Sequence, residues 1–146
     1  MDEQERRSPM SRTHVAVGLA VLGWLWAAPA SSHHAFSVAF DVNRPVSVEG
    51  VITEVKWENP HSWIFLESRR PDGSTEQWRF ETQPPNTLRR NGVTAAILKP
   101  GITVTIKGYG ALDRSATAGA GSLIVFPDGQ SKAISAGGTP PPKEGQ

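Results

Sequence analysis

Val46-Ser47-Val48-Glu49-Gly50-Val51-Ile52-Thr53-Glu54-Val55-Lys56-Trp57 is the stretch from which the fold is read. Its apolar residues alternate with polar ones, the period of a half-buried strand. Val46 and Val48 share one face before Gly50. Val51, Val55 and Trp57 share one face after it. A lone glycine at a change of phase predicts a β-bulge or a sharp bend. One long strand bent there serves two sides of a barrel.

Downstream, Asn59-Pro60 marks a turn. Residues 62–67 (SWIFLE) form a second strand, apolar on both faces. Residues 70–74 (RPDGS) make a hairpin loop. In residues 76–81 (EQWRFE) Trp78 and Phe80 point inward, and Gln77, Arg79 and Glu81 outward. A short helix is expected over Thr87–Arg90, capped by Asn86 and stopped at Gly92. Ile102, Val104 and Ile106 alternate with Thr103, Thr105 and Lys107 in the clearest strand of the chain. Residues 111–121 read as a loose Gly- and Ala-rich connection. Residues 122–126 form a last strand, and 132–134 a short edge strand.

The order is bent strand, strand, strand, short helix, strand, strand. It predicts an all-β domain with one short helix: a small five- to six-stranded OB-like Greek-key barrel. An immunoglobulin-like sandwich competes, but it wants about seven strands. In an OB-like barrel, ligands meet the loops between strands one and two (58–61) and between four and five (110–121).

Upstream, a short apolar run over 15–26 leads to Ala28-Pro29-Ala30, small residues suited to an export peptidase. Residues 1–30 are expected to be a removable signal peptide, with the barrel over 31–135 and a disordered tail over 136–146, rich in Gly and Pro. Acidic residues ahead of the apolar run point to Met10, rather than Met1, as the start of translation. The expected location is periplasmic or secreted. No membrane contact is expected after cleavage, since no second apolar stretch is long enough for a spanning helix.

The chain has 15 Lys and Arg against 14 Asp and Glu, a net charge of +1, mixed along its length. That balance gives no reason to expect nucleic acid as a partner. There is no cysteine, which excludes disulfides, thiol nucleophiles, Cys-rich zinc sites and a lipoprotein anchor.

His33-His34-Ala35-Phe36, Phe40-Asp41, Arg44-Pro45-Val46 and the run Val55-Lys56-Trp57-Glu58-Asn59-Pro60-His61 resemble the signatures of an uncharacterised family of exported bacterial proteins. Pro85-Asn86-Thr87-Leu88-Arg89-Arg90 and Leu98-Lys99-Pro100-Gly101 continue the likeness, over roughly residues 33 to 134. The Trp-x-Asn-Pro-His run is its specific part. The resemblance implies export and a small β-rich fold. It transfers no activity.

His33, His34 and His61 are the candidate metal ligands, because imidazole suits Cu(II), Ni(II) and Zn(II). Cleavage after Ala30 leaves Ser-Ser-His at the new terminus, where an amine, two amides and an imidazole wrap Cu(II) in a square plane. Alternatively His33 or His34 meets His61 in space. The plain alternative is that the N-terminal pair is solvated and His61 only bonds its turn. Trp57, Asn59, Trp63, Glu81 and Arg90 are candidate partner-binding residues for a polysaccharide, peptide or protein. Exposed aromatic rows on such barrels stack on sugars or bases. The competing reading puts at least two of Trp57, Trp63 and Trp78 in the core, with Trp63 the one exposed. No motif assembles a nucleophile, a base and an orienting partner. The expectation is a non-catalytic domain that binds copper before zinc or nickel.

Overall fold

The computed structural model describes residues 39–135. The predicted leader, the tail, His33 and His34 lie outside them. The elements are β1 (Phe40–Lys56), β2 (Ser62–Arg69), β3 (Thr75–Thr82), α1 (Pro85–Arg90), β4 (Thr103–Ala111), β5 (Ala118–Val125) and β6 (Ser131–Ala133). The sheet is mostly antiparallel and runs β3-β2-β1-β4-β5-β6. A parallel pairing of β3 with β5 (Arg79↔Ala118, Phe80↔Gly119, Glu81↔Ala120) joins its ends. Hydrogen-bonded neighbours therefore run in a ring, β1-β2-β3-β5-β4 and back to β1, with β6 added on β5.

Strand parity builds one core. Val48, Ile52, Ile64, Leu66, Phe80, Val104, Ile106 and Ile124 turn inward from the strands, and Leu88, Val93, Leu98 and Ile134 join them. Most are fully buried, and a buried side chain of this size contributes roughly 1.5–3 kcal/mol. Trp78 stacks nearly parallel on Phe80, with centroids 5.6 Å apart. Trp57 and Trp78 pack against this core.

Several boundaries depart from expectation. Strand β1 begins at Phe40, because Phe40 pairs with Ala111 and Pro45 with Tyr109 across β4. The polar run Asp41–Arg44 hides this from a hydrophobic pattern. The phase does not change at Gly50. Val48, Gly50 and Ile52 are all buried while Val51 is exposed, so one face continues through the glycine. The shift comes between Ile52 and Glu54, where the register with β2 slips. Gly50 has a different task. A Cβ there would lie 2.6 Å from the Glu67 carbonyl oxygen, so the strands cross closely only without a side chain.

Helix α1 starts at Pro85 behind Pro84, with no side-chain cap. Proline presets the helical φ and has no N–H to satisfy in the first turn. Asn86 is therefore inside the helix, and its Oδ1 accepts from Arg89. Gly92, at φ +74°, follows the helix end as expected. Strand β5 begins at Ala118, so the β4–β5 loop spans only 112–117. Its Gly–Ala sequence has weak strand propensity, but it is required by contact. A Cβ on Gly119 would lie 2.7 Å from Tyr109 O and 2.9 Å from the Phe80 ring.

Candidate functional site

The Asn59–Pro60 turn, with its cis peptide bond, delivers His61 to the head of β2. Antiparallel pairing places Ser62 opposite Thr82 and Trp63 opposite Glu81. Since Ser62, Ile64, Leu66, Phe80 and Thr82 are buried, Trp63, Phe65, Arg79 and Glu81 occupy the outer face. There Glu81 Oε1 meets His61 Nδ1. The carboxylate is mostly covered, with its side chain 18% exposed, while the imidazole is 39% exposed. A carboxylate on Nδ1 fixes the ring's orientation and leaves Nε2 as the atom for a ligand.

Two cations lie over aromatic rings on the same face. The Arg79 guanidinium is 5.9 Å from the Trp63 centroid, and Lys56 Nζ is 5.2 Å from that of Phe65. Directly opposite partners are Lys56↔Trp63 and Phe65↔Arg79. Each cation thus leans diagonally to the next ring, a reach long side chains have on a sheet. Such contacts are worth about 0.5–1 kcal/mol at exposed sites.

The structure brings together His61, Trp63 and Glu81 of the residues expected at the site. Trp57 packs inward instead. Asn59 is an exposed turn residue. Arg90, in the last turn of α1, donates to Thr87 Oγ1 at 2.9 Å. No contact joins Asn59 or Arg90 to the His61–Glu81 pair among the described residues. Lys56, Phe65 and Arg79 were missed. Their signal was strand parity combined with register: outward positions on three adjacent strands must be neighbours.

Among the described residues, no group of three or more His, Cys, Asp or Glu side chains could hold a metal ion. A carboxylate–imidazole pair is also two-thirds of a hydrolytic triad. The hydroxyl of the adjoining residue, Ser62 Oγ, is buried in the interior. No helix among the described residues is long and apolar enough to cross a membrane.

Three carboxylates sit below the ordinary carboxylate range. Glu76 is held there first by the Trp78 indole N–H and then by Arg70. Asp72 and Asp113 are lowered mainly by the hydroxyl and amide of Ser74 and Ser115, two residues on. They fix the β2–β3 and β4–β5 loops that border the outer face.

Fold and site define a small, mostly antiparallel β protein whose polar cluster is an imidazole–carboxylate pair at the edge of an aromatic face. The chain belongs to a family of unknown function, DUF6152, whose model matches residues 23–120. Neither the curated proteins nor the solved structures give a match.

Proposed function

We propose that this chain is an exported, non-catalytic OB-like barrel that binds a divalent transition metal, Cu(II) first, with His61 as one donor. The observation that carries the reading is the Glu81 carboxylate on His61 Nδ1. Metal-binding histidines usually give their second nitrogen to such a partner, which sets the tautomer and the ring angle. His33 and His34 supply the other imidazoles, and a metal with nitrogen donors and tetragonal preference suits that set. The ring of strand pairings, closed by the parallel β3–β5 pair and carrying its helix between β3 and β4, supports the OB-like reading.

The test uses protein purified from the periplasm, its N-terminus read by mass spectrometry. Cu(II) is titrated while absorption and electron spin resonance are followed. One equivalent with nitrogen hyperfine structure is expected, lost or weakened in His33→Ala, His34→Ala and His61→Ala. Glu81→Gln should weaken binding about 10- to 100-fold. Unchanged stoichiometry and affinity in all four variants would overturn the reading.

A second reading, a periplasmic module for a polysaccharide, peptide or protein, is favoured by the Trp63–Arg79 and Phe65–Lys56 stacks. Its surface is then centred on Trp63 and Glu81, since Trp57 packs inward.

A further inference from the structure

Beside the aromatic face lies a cleft of about 360 Å³, between the outer side of β2–β3 and the β4–β5 loop. We propose that this cleft is a subsite for one uronic acid residue of an acidic polysaccharide. The proposal rests on the second reading above and is independent of the metal.

Three features select the ligand. The first is a cation without a counter-ion. Arg79 lines the cleft, and among the described residues its guanidinium meets the Trp63 ring and no carboxylate. A guanidinium over a ring keeps its fork of N–H donors, which matches a carboxylate in bidentate fashion. The second is the polarity of the lining. Thr117 Oγ1 donates to Gln77 O at 2.5 Å, and Ser115 Oγ donates to Asp113 at 2.7 Å. Both hydroxyls thus commit their only proton to the protein and present lone pairs. Gln77 gives its amide N–H to Glu67 at 3.0 Å and keeps a carbonyl oxygen. A ligand completing these groups must bring several O–H donors as well as one negative charge. A sugar acid carries both on one ring, whereas a phosphodiester group or a carboxylate side chain brings charge with no hydroxyl of its own beside it. The third is the apolar floor. Phe65 and Ala118 line the same cleft, and a pyranose presents C–H faces suited to an aromatic ring. The volume falls in the small-ligand range of about 300–1,000 Å³, which fits one sugar unit.

The loop that forms the outer wall is anchored. Arg79 N–H donates to Thr117 O at 3.1 Å, and Ser115 N–H to Asp113 Oδ1 at 2.9 Å. The wall is therefore in place before a ligand arrives, which lowers the ordering cost of binding.

The test is calorimetric titration of the exported chain with trigalacturonate, its methyl ester and a glutamate-rich peptide. Trigalacturonate should bind, and Arg79→Gln and methyl esterification should each weaken it at least about tenfold. Lys56→Gln, whose ammonium lies over Phe65, provides a second variant, and thermal unfolding verifies both folds. EDTA should leave uronate affinity unchanged. No binding, equal binding of the peptide or the ester, indifference to both cation variants, or loss of binding in EDTA would each overturn the proposal.

Discussion

Ser62 stands between the half-buried His61 and Trp63, yet its own side chain is fully buried and its hydroxyl has no hydrogen-bond partner among the described residues. A buried hydroxyl in that state costs about 1–3 kcal/mol of desolvation. Its backbone carbonyl, by contrast, accepts from Thr82 Oγ1 at 3.1 Å, and Ser62→Ala keeps that bond. We expect Ser62→Ala to stabilise the protein by about 1 kcal/mol in urea unfolding; destabilisation would mean the hydroxyl has a partner. Glu76 offers a second test at this scale. Its carboxyl is lowered in the fold by the Trp78 indole and Arg70. A lowered folded-state value means the contribution is complete above the unfolded value and is lost as pH falls through the folded one. The melting temperature of Glu76→Gln should therefore lie below that of the parent at pH 7, and the gap should close as pH falls below the ordinary glutamate value of 4.5. A gap independent of pH would contradict the assignment. Sequence reading could single out His61 and Glu81 separately. Their contact depends on Trp63 standing opposite Glu81, a register that residue types alone do not specify.

At the scale of elements, alternation was legible wherever apolar residues face a core. The inward set of β3, Trp78 and Phe80, and that of β4, Val104 and Ile106, are where the pattern puts them. The pattern misled where small or polar residues form strand. Residues 118–121 carry no β-branched side chain, so they read as loop, although they pair with both β3 and β4. Their smallness is dictated by neighbours that sequence cannot show. Gly119→Ala tests this: a Cβ there would lie 2.7 Å from Tyr109 O and 2.9 Å from the Phe80 ring. Overpacking of this kind costs about 1–3 kcal/mol. Chemical denaturation should show a loss in that range, whereas a neutral outcome would mean that β5 sits farther from β3.

For the whole molecule, the order of elements was readable because each strand and the helix carry local signals. The particular pairing that joins the sheet's ends, β3 with β5, was not, since it links residues far apart in sequence. Function was less legible still. An imidazole acquires a role from what holds its other nitrogen, and family membership brings no activity with it. The most direct measurement is a two-bond proton–nitrogen correlation spectrum of the His61 ring in the purified protein, before and after Zn(II). The account predicts Nδ1 protonated toward Glu81, Nε2 bare, and a metal-induced shift confined to Nε2. Protonation at Nε2 instead, with no response to the metal, would contradict it.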